Sequence, residues 1–491
     1  EQGTLQTYEE ISVPMLDVVL EMNDNGVPVH HSRLTKWKNW LRRTTDAMLV
    51  DMYKHWEIHP TFNWNSALQM AYLLYGKEPK SLMEKQVAYA KDSEPDCKMK
   101  KNTKKYAELE EYVEIFKQTT PFPHMSKLRI KLTKGKAPSV DDEMRQRLQK
   151  TIINRLAEIN NMKRRQEHHE AERDQIEGAI KVVETLNTYA ENEKLLTTYT
   201  GLHIEPDGCV HFGFKVHGTR TGRLSSYAPN GQNIPPKAKK IFVAPDGFYF
   251  VTFDYSNLEV VVLAHIAQIR HYLDIFAAGL NVHRANTERF LGVKPTDPNW
   301  KSWYRVMKMY LFGRNYGGTL EGMYRRIMTA IPGLRMTKKQ FEALDKAYFD
   351  ELPEYKEWYD ETEKTLRATR TLHNAFGRIR IFLGEIEGAV RSGLNFPIQG
   401  TAADIMSFGL IANRKALREL KAKNPTIQTR PVLTVHDSLV LLVPERELLV
   451  VAKMLQRTMC APKRNGDTMV PFKGELTVGR DYYEGEEHKL E

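Results

Sequence analysis

Apolar positions change their spacing several times along the chain, and the changes divide it into blocks. Residues 5–78 carry helical apolar patterns broken by turn signals, notably Asn23-Asp24-Asn25-Gly26 and Glu78-Pro79. Ser139-Val140-Asp141-Asp142 has the composition of a helix start, and Leu148, Ile152, Leu156 and Ile159 follow at three- and four-residue spacing. A second stripe, Ile176, Ile180, Val183 and Leu186, continues the pattern, so long amphipathic helices packed on each other are expected. After Thr200 the chain turns to glycine-punctuated short segments. Phe248-Tyr-Phe-Val-Thr-Phe253 has the aromatic and β-branched content of a buried strand, and it ends at Asp254. Residues 271–390 return to helical pattern with many aromatics. From Val432 to Val443 two apolar runs flank His436-Asp437-Ser438, which reads as strand, tight turn, strand with the Asp at the tip. No internal repeat is visible. The pattern predicts a mixed α/β (α+β) chain: a helical arm, then a sheet whose two parts are separated in sequence by a second helical block.

Composition narrows the partners. With 41% hydrophobic and 27% charged residues over 491 positions, the chain has ordinary globular composition and length for about three structural units. Lys plus Arg is 72 against 62 Asp plus Glu, a net charge of +10 that favours a polyanion such as nucleic acid. Two basic clusters stand out: Lys98, Lys100, Lys101, Lys104 and Lys105, and Lys127, Arg129, Lys131, Lys134 and Lys136. They read either as a solvated face or as a phosphate-contacting surface. Cys97, Cys209 and Cys460 are few and scattered, which implies neither a disulfide framework nor a zinc site and fits a reducing intracellular compartment. The most apolar stretches, such as Phe248 to Ala267, are strand-length or broken by charge, so no membrane span is expected. The chain opens at Glu1 without a Met or an apolar signal segment, which reads as a trimmed form of a longer protein.

Candidate chemistry concentrates in three places. Asp254 ends a buried strand and Asp437 tips an apolar hairpin; carboxylates are costly to bury without a partner or a metal. Brought together in a sheet, they could hold a pair of Mg²⁺ ions about 3.5–4 Å apart for in-line phosphoryl transfer, although each alone could be a turn residue. Arg305, Lys308, Phe312 and Tyr316 fall at roughly 60°, 0°, 40° and 80° around a helix, so two cations and two rings share one face. Cations suit a triphosphate and rings suit a base. Thr221-Gly222-Arg223-Leu224-Ser225-Ser226 and Pro229-Asn230-Gly231-Gln232-Asn233-Ile234-Pro235 offer a guanidinium and amides suited to a minor groove and to backbone oxygens.

These segments, with Asp254-Tyr-Ser-Asn-Leu-Glu259, Lys308-x3-Phe-Gly-x2-Tyr-Gly, Arg391-x3-Asn395-x3-Gln399-Gly-Thr-Ala-Ala-Asp404 and Val435-His-Asp437, occur in the order found in the DNA polymerase I family, and the chain resembles that family A of DNA polymerases. Phe62-Asn-Trp-Asn-Ser66 and Leu195-Leu-Thr-Thr-Tyr-Thr200 resemble its thumb more loosely. The resemblance implies a right-hand architecture with an antiparallel palm sheet, helical fingers and helical thumb: thumb over 1–200 with a basic helical insertion around 79–186, palm over 201–270 and 391–491, and fingers over 271–390. It implies template-directed addition of deoxynucleotides to a primer 3′ end by a monomer, with primer-template DNA and deoxynucleoside triphosphates as partners. Asp254 and Asp437 would ligate two Mg²⁺ ions with the Tyr255 carbonyl. Lys308 and Arg305 would hold the triphosphate, with Lys308 protonating the pyrophosphate. Phe312 and Tyr316 would shape the nucleotide pocket, His283 would contact phosphates, and Glu259 would exclude a ribose 2′-OH sterically. Arg223, Asn230, Gln232, Asn233, Arg391, Asn395, Gln399 and His436 would grip the primer-template minor groove.

The chain departs from the family at four positions. Tyr304 stands where an Arg is usual, with Arg305 one residue later; Ser438 replaces a Glu; Asn257 replaces a Gln; and Val261 replaces an Arg. A Ser438 hydroxyl could hold a metal-bound water but adds no charge. Asp-x-Glu occurs only at Asp92/Glu94 and Asp141/Glu143, neither on a strand pattern, so no 3′–5′ exonuclease domain is expected here. Residues 79–186 exceed what compact members require, as thumb insertions do in some phage members, and either decorate the thumb or extend its grip on duplex DNA or a processivity partner. Two rival readings are a single-subunit RNA polymerase, opposed by Glu259, and a catalytically silent primer-template binder. A Ser-His-Asp hydrolase at 436–438 is excluded because adjacent strand residues point to opposite faces.

Overall fold

A computed structural model describes residues 2–76, 84, 104–119, 145, 149, 152, 167–315, 317–331, 333–461, 463–465, 468–470, 472–482 and 486–488. The chain separates into two compact units, residues 35–201 and residues 1–34 with 202–491.

In the 35–201 unit, helix α2 (His31–His55), which begins in the other unit, is followed by α3 (Ala67–Tyr75), α4 (Lys104–Lys117) and α5 (Glu167–Lys194). Ser66 caps α3 by accepting from the Gln69 amide, and Gly76 closes it in the left-handed conformation. The core joins Met52, Phe62, Leu73, Leu74, Phe116, Val183 and Leu186. The expected stripe on α5 is seen, with Ile176, Val183 and Leu186 buried and Ile180 packed against them. Ile152 joins the same core, while Leu148, Leu156, Ile159 and the Lys127 to Lys136 cluster lie outside the described residues.

The larger unit is built on a five-stranded antiparallel sheet. Its strands are β1 (Phe248–Tyr255), β2 (Arg430–Val435), β3 (Ser438–Pro444), β4 (Gly474–Gly479) and β5 (Glu486–His488), in the spatial order β5-β4-β1-β3-β2. The sheet is thus assembled from two distant pieces of sequence, as expected. Its main helices in chain order are α1 (Val13–Asn25), α6 (Leu258–Ile266), α7 (Arg270–Ala277), α8 (Val282–Leu291), α9 (Trp300–Asn315), α10 (Leu320–Ala330), α11 (Lys338–Glu351), α12 (Pro353–Thr369), α13 (Ile386–Gly393), α14 (Phe396–Lys423) and α15 (Leu448–Met459). Phe253 and Val251 of β1 share one continuous core with Leu439 and Leu441 of β3, Ile405 of α14 and Leu455 of α15.

One boundary differs from the sequence reading, which placed residues 1–200 together. Met15, Val18 and Met22 of α1 are buried in the sheet unit's core, and Arg414 of α14 pairs with Asp17 and Glu21, so the first 34 residues belong with 202–491. Gly26 ends α1 at positive φ, where a Cβ would collide with Cys209 and His211.

Candidate active site

The strand register brings the two key carboxylates together. Asp254 lies opposite Ser438 across β1 and β3, and the Tyr255 amide donates to the Asp437 carbonyl at 3.2 Å. Asp437 sits in the two-residue turn between β2 and β3, with His436 at a φ of 51°. Two bonds lock that turn: Thr434 Oγ1 donates to the Ser438 carbonyl (2.9 Å), and Ser438 Oγ donates to the Val435 carbonyl (2.8 Å). The Ser438 hydroxyl therefore spends its only proton on the turn and keeps its lone pairs as acceptors. Asn257, in the left-handed conformation that Asn tolerates, starts α6 directly after β1.

A third carboxylate flanks the pair. Glu475 of β4 lies opposite Asp254, and directly opposed residues of an antiparallel pair share a face. Asp254 stays accessible to solvent, yet the protein mass around it, then Asp437 and Glu475, push its carboxyl up to about 6. Lys239 opposes that shift; burial lowers the lysine's own pKa, and its Nζ lies 4.4 Å from the Tyr482 ring centroid. Burial also raises Asp437, against the pull of Arg223 and His436. Among the described residues, no three His, Cys, Asp or Glu side chains converge on a site that could hold a metal. Two hard carboxylates with open positions are a donor set that suits Mg²⁺ shared with substrate phosphates.

Arg223 reaches into this site. Its Nη2 donates to Glu259 Oε1 at 2.7 Å and to Asp437 Oδ1 at 3.4 Å. The loop that carries it is preformed: Thr219 Oγ1 donates to the Arg223 carbonyl, and Gly222, at a φ of 85°, leaves room for the Arg378 guanidinium where a Cβ would stand. Arg378 in turn forks onto Asp404 of α14, which is fully buried and also accepts from Asn374.

On α9, Val306, Met307, Tyr310 and Leu311 face the core, whereas Arg305 and Lys308 are exposed and Phe312 is half-buried, as the helical spacing predicts. Tyr316 lies outside the described residues. His283 of α8 packs edge-on against Tyr304 (6.1 Å) and at 5.9 Å from Phe312. It is 2% exposed, and both ring nitrogens lack a partner among the described residues. Burial first, then Lys308, lower its pKa to about 4, so it is neutral at pH 7.

The remaining residues expected to hold DNA are spread over neighbouring elements. Gln232 donates to the Thr434 carbonyl at 3.5 Å and lines a cavity with Arg223, His436 and, from α14, Ala403, Met406 and Ser407. Asn230 uses its side-chain oxygen to cap the turn at Gly231–Asn233, and Asn233 is exposed. Asn395 and Gln399 stand one turn apart at the start of α14, and the Asn395 Oδ1 is buried without a partner among the described residues. Arg391 is on α13, its side chain outside what the structure describes. Sequence reading overlooked Glu475 and Lys239 and took Tyr304 only as a lost cation. For Glu475, the alternation in Gly474-Glu-Leu-Thr-Val478 was a usable strand signal.

Comparison with known proteins places the chain in a family. Residues 140–484 match DNA polymerase family A. The chain is 33% identical over 315 residues to DNA polymerase I of Chloroflexus aurantiacus, a match covering 60% of this chain and 32% of that protein. It is 31% identical to the DNA polymerase of Bacillus phage SP01 (59% and 33% covered) and 30% identical to the thermostable DNA polymerase I of Thermus aquaticus (62% and 37% covered). These matches span about a third of each relative's length. Among solved structures, the POL domain of Pol1 from M. smegmatis, in complex with DNA primer-template and dNTP, superposes with a TM-score of 0.64 at 20% identity. That match covers 96% of this chain and 70% of that one and establishes likeness of fold.

Proposed function

Because the chain belongs to DNA polymerase family A, we propose that it extends a primer 3′ end on a DNA template with deoxynucleoside triphosphates. The observation that carries this reading is the register of β1 and β3, which sets Asp254 and Asp437 side by side at one end of the sheet. The two carboxylates, with the Tyr255 carbonyl, would hold two Mg²⁺ ions, which when bound stabilise the charge of in-line phosphoryl transfer. The primer 3′ oxygen bonds to the α-phosphorus as the bond to the β-phosphate oxygen breaks, and the hydroxyl proton leaves to solvent. Lys308, exposed on α9, would neutralise the triphosphate and give a proton to the departing pyrophosphate, with Arg305 beside it. His283, its ring nitrogens buried without a partner among the described residues, would donate its ring N–H to a phosphate oxygen, and Phe312 and Tyr316 would line the nucleotide pocket.

Glu259 would exclude the ribose 2′-OH. Arg223, Asn230, Gln232, Asn233, Arg391, Asn395, Gln399 and His436 would hold the primer-template. We assign the sheet unit to palm and fingers and residues 35–201 to the thumb, with its basic stretch extending the grip on duplex DNA. Primer extension with Mg²⁺, comparing deoxy- and ribonucleotides and including Asp254→Asn, tests the reading. Template-ordered extension with deoxynucleotides that disappears in the variant is expected; tight primer-template binding without extension would leave only a binding role.

A further inference from the structure

We propose that Arg223 is a positioning residue for sugar selection: it fixes the Glu259 carboxylate where a ribose 2′-OH would lie and ties it to Asp437. The inference rests on the reading of Glu259 as the sugar gate.

Glu259 is 4% exposed in the first turn of α6, and a buried carboxylate must have its charge compensated. The 2.7 Å bond from Arg223 is a charge-assisted contact of the strong kind. The same Nη2 reaches Asp437, so one nitrogen touches the gate and a metal-holding carboxylate together. The guanidinium's Nε is buried without a partner among the described residues. The arginine is itself held, through Thr219, Gly222 and the Arg378–Asp404 pair behind the loop. A steric gate discriminates only if its carboxylate cannot swing aside, because a rotamer change that moves it by an ångström or so makes room for one more oxygen. Arg223 supplies that restraint, and because it also contacts Asp437, the gate is registered against the reacting centre and not only against its own helix.

The test compares single-nucleotide insertion of dCTP and CTP by the whole chain and by Arg223→Gln, Arg223→Lys, Glu259→Ala and the Arg223→Gln/Glu259→Ala double variant. Glu259→Ala should lower the deoxy-to-ribo ratio of kcat/KM at least about tenfold. Arg223→Gln should lower it about tenfold as well, chiefly by lowering KM for CTP, with Arg223→Lys restoring part of the ratio. The double variant should fall no further than Glu259→Ala, since both act through one carboxylate. Equilibrium binding of dCTP and CTP to each variant on a dideoxy-terminated primer-template gives the same ratio where turnover is too slow. If Arg223→Gln weakens both nucleotides equally while Glu259→Ala collapses the ratio, the positioning role is wrong and Arg223 serves DNA contact alone. If Glu259→Ala leaves the ratio intact while extension persists, the gate reading fails, and this inference with it.

Discussion

Asp254 faces Ser438 directly across β1 and β3, while Asp437, its proposed partner in holding metal, lies one residue earlier, in the turn. The offset matters. Asp437 stands outside the ladder and can turn its carboxylate toward Asp254, whereas a residue within β3 is committed to one face of the sheet.

Burial, with the neighbouring carboxylates, is expected to destabilise the metal-free fold through Asp254. Asp254 has its pKa raised to about 6, so the folded chain binds that proton more tightly than the unfolded chain does. The destabilisation is fully present above about pH 6 and disappears below about pH 4. In EDTA at pH 8, Asp254→Asn is expected to raise Tm by about 1–2 °C, a modest gain because the group is solvent-screened. The difference should vanish in melts at pH 4, and a lower Tm at pH 8 would contradict the raised pKa.

Mg²⁺ should act in the opposite sense. It is expected to raise the Tm of the parent chain at pH 8 and to leave the Asp254→Asn/Asp437→Asn double variant unchanged. Because protons compete for Asp254 near pH 6, the protection should shrink at pH 5.5, which calorimetric Mg²⁺ titration at both pH values measures.

His283 gives a separate pH signature. Its pKa is lowered to about 4, so stability is lost as pH falls from about 6.5 toward 4. His283→Phe removes that sensitivity and should be more stable than the parent by about 2–3 kcal/mol at pH 4. At pH 7 the two should melt alike, while KM for deoxynucleotide rises about tenfold through loss of a phosphate hydrogen bond.

Asp404 is the support under the Arg223 loop. Asp404→Ala strands the Arg378 guanidinium and the Asn374 amide, and denaturant unfolding should show a loss of about 3–5 kcal/mol. Asp404→Leu combined with Arg378→Met should recover much of that, because an apolar pair leaves no buried charge behind.

Local periodicity made part of this site legible. The end of β1 at Asp254, the hairpin tip at Asp437 and the shared face of Arg305, Lys308 and Phe312 all follow from spacings within a dozen residues. Glu475 beside Asp254, Lys239 opposing its shift, and Arg223 on Glu259 depend on strand register and loop packing between distant segments. Alternation predicts a strand but not its neighbour, and a guanidinium on a loop reaches DNA or a carboxylate equally well until the loop is placed. Tyr304 looked like a lost cation because its position was judged by charge, when its ring was available to wall His283.

The central place of β1 bears on how the chain is made. Both of its neighbours, β3 and β4, come from much later in the sequence. At roughly 5–20 residues per second, the ribosome needs about 11–45 s after finishing β1 to deliver β4. Until β3 emerges, Phe248-Tyr-Phe-Val-Thr-Phe253, uncharged and rich in β-formers, has neither edge covered, and one edge stays bare until β4 follows. Newly made chains should therefore depend on holdase chaperones until β4 emerges, and truncations that stop short of Gly474 should aggregate instead of yielding a partly active enzyme.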